Sequence, residues 1–175
     1  NAPGIGTVKG RSIGGDGFLC FIDQNQPQNI QIGSLYGGIW FLSTDNGANF
    51  SAGKSSDGGF YTPADYDDSL NILYAQSAQG DFWRWKINND SAIGIDMRGV
   101  ATSNVSVIQV DNNVTGRVYV GTQNGFLYRC ENAHVLSEVP TALAGRFTGR
   151  VSSVDIEYGN PLHLLVTVSS ANVNS

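Results

Sequence analysis

Carboxylates are the first residues to weigh, since they are the side chains here that could turn over a substrate. Asp65-Tyr66-Asp67-Asp68 is a dense acidic cluster. Asp65 and Asp67 could serve glycoside hydrolysis, which needs two carboxyl groups across a cleft, or could offer oxygen ligands to Ca2+. The same place also suits an ordinary turn, where Asp accepts backbone amides. In Phe82-Trp83-Arg84-Trp85 a strand would put Trp83 and Trp85 on one face. Such a pair could stack on sugar rings, or wedge between packed sheets. His134 and His163 have no Cys or His at ligand spacing, so neither a metal site nor a cofactor is expected. The glycines fall at turns rather than between a strand and a helix, which removes a phosphate loop, and no Ser-His-Asp or Cys-His grouping is present.

The elements that would carry these residues are short strands. The chain has 175 residues, enough for one domain with a sizeable core, and 22 of them are Gly. No long window places apolar residues at helical spacing, so an all-β protein is expected. Charged residues make up 14% and the net charge is −5. With no basic stripe, a nucleic-acid partner is not expected, and no apolar run is long enough to span a bilayer. The chain opens on Asn1-Ala2-Pro3 without a Met or a leader peptide, which fits a processed product or an internal piece of something longer. Its richness in Asn, Gly, Ser and Thr matches a secreted, extracellular or cell-surface protein. Glycosylation triplets begin at Asn49, Asn89, Asn104 and Asn113, as chance alone allows in such a composition. Cys20 and Cys130 lie far apart beside apolar residues and read as two free, buried thiols.

A repeat organises the strands. Asp23, Asp65, Asp111 and Glu157 each precede an apolar run by the same distance, at separations of 42, 46 and 46 residues. Periods of this length with four short strands apiece describe propeller blades. The first unit has strands at 18–22, 30–35 and 39–42 and a short one after Phe50. The second has 60–62, 72–76, 82–87 and 92–97; the third has 105–110, 117–121, 126–130 and 134–139; the fourth has 151–156 and 162–168. Residues 77–80 and 122–125 form hairpin turns, and Asn124-Gly125 is a strong hairpin signal because both residues tolerate positive φ. Approximate blades are 11–53, 54–98, 99–145 and a half blade, 146–175. Gly10-Arg11-Ser12 and Gly149-Arg150-Val151 repeat as connections into a blade. Continuous apolar runs at 39–42 and 164–166 suggest strands covered on both faces. Three and a half blades would leave sheet faces in water, so the expectation is a partial propeller whose partner is the rest of the same ring or a larger assembly.

Ser43-Thr44-Asp45-Asn46-Gly47-Ala48-Asn49-Phe50 resembles the Asp-box, Ser/Thr-x-Asp-x-Gly-x-x-aromatic, of the bacterial neuraminidase repeat, of sortilin-type propellers and of xyloglucanase-like glycosidases. Ser43, Asp45 and Gly47 match, and Phe50 stands where Trp is commoner. The preceding Gly38-Ile39-Trp40 also looks like the third strand of those families. The resemblance implies a box in the hairpin between a blade's third and fourth strands, with a structural role far from any active site. Asn88-Asn89-Asp90 and Glu131-Asn132-Ala133 occupy its place in the next two blades. It also implies a non-catalytic module that binds protein or builds an assembly. The alternative it carries is a glycoside hydrolase acting on polysaccharide, xyloglucanase-like before sialidase. A sialidase would need an arginine triad; Arg84, Arg98, Arg117, Arg129, Arg146 and Arg150 are available, but the family's N-terminal Arg motif is missing.

Overall fold

The computed structural model describes residues 13–77, 82–95, 104–135, 139–143 and 145–170. Fourteen strands and two single 3-10 turns make up the regular structure there. β1 (Gly17–Ile22), β2 (Gln31–Leu35), β3 (Ile39–Ser43) and β4 (Ser51–Ser55) form the first sheet, in that order. The second holds β5 (Ala64–Asp67), β6 (Ile72–Gln76), β7 (Phe82–Lys86) and β8 (Ser91–Ile95). The third holds β9 (Val105–Val110), β10 (Val118–Thr122), β11 (Leu127–Cys130) and the two-residue β12 (Thr141–Ala142). β13 (Arg150–Ile156) and β14 (Leu164–Ser169) pair alone as the fourth. All pairs are antiparallel, as tight connections between sequential strands require.

Three apolar clusters lie between successive sheets. Ile32, Trp40, Leu73, Trp83 and Trp85 fill the space between the first and second. Tyr74, Phe82, Val110, Val120 and Cys130 do so between the second and third. Tyr119, Leu127, Val151 and Val154 join the third to the fourth. Every residue of β6 and of β10 is buried, because each of these strands is covered on both faces. β3 and β14 are not: alternate residues of β14 are exposed, and Leu165 reaches 68%. Their apolar runs face a neighbour on one side only. The same asymmetry separates the cysteines. Neither is in a disulfide, but only Cys130 is buried, while Cys20 is exposed on the outer face of β1.

Several expected elements move. The second blade's first strand is Ala64–Asp67 rather than 60–62; Phe60 and Tyr61 have strand-forming side chains but sit in the connection before it. The third blade's outer strand is Thr141–Ala142; of the expected 134–139, residues 134, 135 and 139 are not strand and 136–138 lie outside the described residues, while residues 131–134 turn back under Gly116, where Ala133 N–H donates to the Gly116 carbonyl at 2.8 Å. The Asn124-Gly125 hairpin is correctly placed but is another turn. Only Gly125 has positive φ, at 90°, and Gly125 N–H donates to Thr122 O at 3.2 Å while Thr122 N–H donates to Phe126 O at 3.0 Å. That is a three-residue loop with glycine in the left-handed position. Residues 78–81, 96–97 and Gly10-Arg11-Ser12, which carried a turn, a strand end and a connection in the sequence reading, lie outside the described residues.

The repeat also shifts by two residues in one blade. Asp23 Oδ1 accepts Asn25 N–H at 2.7 Å, Asp111 Oδ1 accepts Asn113 N–H at 2.8 Å, and in the second blade the matching carboxylate is Asp67, whose Oδ1 accepts Ser69 N–H at 2.9 Å and Leu70 N–H at 3.0 Å. Asp65 lies within β5 instead of in the turn. The turn acids are therefore Asp23, Asp67, Asp111 and Glu157, and the structural repeat is nearer to uniform than the sequence spacing of 42, 46 and 46 suggested.

Candidate functional site

The hairpin from β3 to β4 is locked by its own side chains. Ser43 Oγ accepts Gly47 N–H at 3.0 Å and donates to Asp45 Oδ1 at 2.9 Å. Asp45 accepts Asn49 N–H on Oδ1 at 2.8 Å and Asn49 Nδ2 on Oδ2 at 2.7 Å. Asn49, by side chain and backbone, and then Ser43 hold the Asp45 carboxyl down at about 2. Gly47 has φ 76° and is buried against Gln31, where a β-carbon would lie 2.7 Å from Oε1. Phe50 is half-buried at the end of this turn.

Asp65 and Asp67, two residues apart on one face of β5, do different jobs. Asp67 is buried and ties down its turn. Asp65 reaches across to the third sheet: its Oδ2 accepts Val110 N–H at 2.7 Å and Gln109 Nε2 at 3.0 Å, and its Oδ1 accepts Tyr66 N–H at 2.9 Å. Loss of water pushes the Asp65 carboxyl up to about 6 against those amide bonds, with Asp68 and Asp67 adding repulsion. Trp83 and Trp85 share a face of β7 as the alternation required, at 6 and 2% exposure, inside the cluster between the first two sheets. They present no ring face to solvent.

Comparable bonds cross each junction between sheets. At the first, Tyr66 Oη donates to Asp23 Oδ2 at 2.8 Å and Gln24 N–H donates to Asp68 Oδ1 at 2.7 Å. Burial and this bond to Asp23 hold the Tyr66 phenol well above its usual range. At the third, Gly159 N–H donates to Asn113 Oδ1 at 2.6 Å, Asn113 Nδ2 to Glu157 O at 3.1 Å, and Ser106 Oγ to Val151 O at 2.6 Å. The arginines serve the scaffold as well. Arg84 is buried and donates to Ala133 O, Arg117 pairs with Asp111 and Glu131, and Arg129 pairs with Glu131. Arg98 lies outside the described residues.

One exposed constellation escaped the sequence reading. Phe18, Tyr36, Phe60 and Tyr61 gather at one rim of the first sheet, with Phe18 edge-on to Phe60 at 5.3 Å and to Tyr61 at 5.7 Å, and Tyr36 stacked on Phe60 at 6.2 Å. Phe60 is 67% exposed, and Tyr36 and Tyr61 are 49% exposed. Gly37 N–H donates to Gly59 O at 3.1 Å, which fastens the β2–β3 turn to the β4–β5 connection and brings the rings together. The only sequence signal was Phe60-Tyr61 itself, which reads equally well as strand.

No family model matches this chain, and no curated protein matches it. Solved structures do resemble it. Raptor of Chaetomium thermophilum superposes with a TM-score of 0.62 at 12% identity, over 91% of this chain and 17% of that one. YCF48 from Cyanidioschyzon merolae gives 0.61 at 17% identity, over 88% and 51%. The computationally designed Ika4 protein gives 0.55 at 13% identity, over 81% and 86%. The chain thus spans about half the length of YCF48 and under a fifth of Raptor. At such identities the likeness speaks for fold alone. That fold is a partial β-propeller.

Proposed function

We propose that this chain is a segment of an Asp-box-type β-propeller that acts as a non-catalytic, secreted or cell-surface module for protein binding or structural assembly. The rim of four aromatic rings carries this reading. Large rings left in water on a rigid sheet are the composition of an interface centre, since they bring area at little cost in conformational freedom. The Asp-box assignment draws support from the Ser43, Asp45 and Gly47 bonds that close the hairpin.

A photo-reactive phenylalanine analogue at position 60, in cells that make the protein, tests the reading. A discrete protein adduct is expected, and it should disappear when Tyr36 and Tyr61 become Ser. If no adduct forms, and soluble glycans instead quench the rim's tyrosine fluorescence, the protein partner gives way to carbohydrate. The rival reading, a polysaccharide hydrolase, rests on the raised Asp65 carboxyl, which suits a general acid. Both Asp65 oxygens are, however, engaged by amides inside a sheet junction. Hydrolysis of β-glucans or sialosides that Asp65→Asn abolishes would favour the enzyme.

A further inference from the structure

The turn acids allow one atom to be compared in three blades. Asp23 Oδ2 accepts the Tyr66 hydroxyl at 2.8 Å, and Asp111 Oδ2 accepts Arg117 Nη1 at 3.3 Å. Asp67 places all its printed bonds on Oδ1, which accepts Ser69 N–H, Ser69 Oγ and Leu70 N–H. Its Oδ2 has no partner among the described residues, although Asp67 is only 3% exposed. A buried carboxylate oxygen without a donor is costly, so a native fold meets it with a protein group or with ordered water.

A phenol and a guanidinium, the two kinds of donor that serve Asp23 and Asp111, stand close to Asp67. Tyr74 lies directly across from Arg84 and diagonally from Asp67, whose own cross-strand partner is Ile72. Cross-strand neighbours share a face, and diagonal ones are within reach of aromatic and long side chains. That face is the junction with the third sheet, where Arg84 Nη1 donates to Ala133 O at 2.9 Å. Tyr74 and Arg84 are 0 and 2% exposed, yet Tyr74 Oη and Arg84 Nε also lack a partner among the described residues. Burial first, and then the Asp67 charge, hold the Tyr74 phenol above its usual range, and the Arg84 charge opposes them. The three groups thus feel one another without a direct bond.

We propose that a single buried water molecule bridges Asp67 Oδ2, Tyr74 Oη and Arg84 Nε. The phenol and the guanidinium each bring a donor and the carboxylate an acceptor, and one water, which both accepts and donates, answers all three. About three such bonds are also usual for a buried water. The Asp67 and Arg84 charges cancel, so an ion of either sign would face a like charge, and a neutral occupant suits the site. All three residues are sealed from solvent, so the occupant enters only by local opening, which selects a small one. Held there, the water links the β5–β6 turn, through Arg84, to the turn at 131–134 in the third sheet. The site lies between two sheets of this chain and is independent of the aromatic rim's role.

A crystal structure of the unaltered chain, at a resolution that shows ordered water, tests this. One peak is expected at hydrogen-bonding distance, roughly 2.7–3.2 Å, from Asp67 Oδ2, Tyr74 Oη and Arg84 Nε together. In solution, oxygen-17 relaxation dispersion should detect a long-lived water. Tyr74→Phe, which keeps the ring and removes the hydroxyl, should shorten its residence about tenfold, as the loss of one hydrogen bond implies. Circular dichroism checks that the variant folds, and the crystal structure decides the matter without it. Direct bonding of Asp67 Oδ2 by Tyr74 or Arg84, no density between them, an anomalous peak there after a bromide soak, or a residence time that Tyr74→Phe leaves unchanged would each overturn the proposal.

Discussion

The junction between the second and third sheets and the outer face of the fourth follow one plan with opposite outcomes. Asp65 and Asp155 occupy matching positions and each binds its own following amide. One is closed over by β9, and the other is exposed. Their partners Tyr74 and Leu165 differ in the same sense, at 0 and 68% exposure. What a residue contributes here is decided by whether another sheet lies on it, and only secondarily by its type.

The widest separation should come from truncating side chains. Tyr119→Ala, in the closed third junction, should cost about 3–5 kcal/mol in urea unfolding, whereas Leu165→Ala should cost under about 0.5 kcal/mol. Equal costs would mean that the fourth sheet's outer face is not open. Gly125→Val should come next, at more than about 2 kcal/mol. It forces a branched residue to φ 90° and drives a β-carbon into the carbonyl oxygens of Phe147 and Gly149 on the way into the fourth sheet. A neutral result would show that this turn does not pin the last junction.

Smaller effects should appear as pH dependence. The folded Asp65 carboxyl, raised to about 6 from an ordinary value of 3.8, binds its proton more tightly than the unfolded chain does. Its contribution to stability is therefore greatest below about pH 4 and declines as pH rises through 6. Asp65→Asn should flatten that decline, by an amount on the order of 1–3 kcal/mol between pH 4 and 7. Asp45 should behave in the opposite sense: its depressed carboxyl supports the fold above pH 4 and loses that support as pH falls towards 2. Carbon-detected NMR titration should give midpoints near 6 for Asp65 and near 2 for Asp45. Coincident midpoints would mean that Asp65 is hydrated and its junction open.

Much of this architecture was legible because strand and turn chemistry repeat. The strand at 105–110 was read to the residue, and the β3–β4 hairpin followed from Ser43, Asp45 and Gly47. The misreading of Asp65 has a definite cause. From turn acid to the next strand the distance is five residues in the second blade, Asp67 to Ile72, but seven in the third and fourth, Asp111 to Val118 and Glu157 to Leu164. Aligning the blades by that distance selected the carboxylate two places early. The aromatic rim was hidden for another reason. Phe18 lies in β1, Tyr36 in the β2–β3 turn and Phe60-Tyr61 in the β4–β5 connection, far apart in sequence and brought together by bonds such as Tyr36 N–H to Asp16 O and Gly37 N–H to Gly59 O. Nor does a string of letters say which apolar face is covered, which is why Trp83, Cys20 and Leu165 could not be ranked by burial in advance.

The turn acids Asp23, Asp67, Asp111 and Glu157 fall at near-regular intervals, one to a sheet, and each sheet after the first packs on the one before it. Pulled from its two ends, such a molecule should yield as a row of clasps. The fourth sheet, with two strands, should let go first. Each later rupture should then release one unit of some forty-odd residues, on the order of 150 Å of extended chain at about 3.5 Å per residue. An optical-tweezers trace would read that ladder rung by rung.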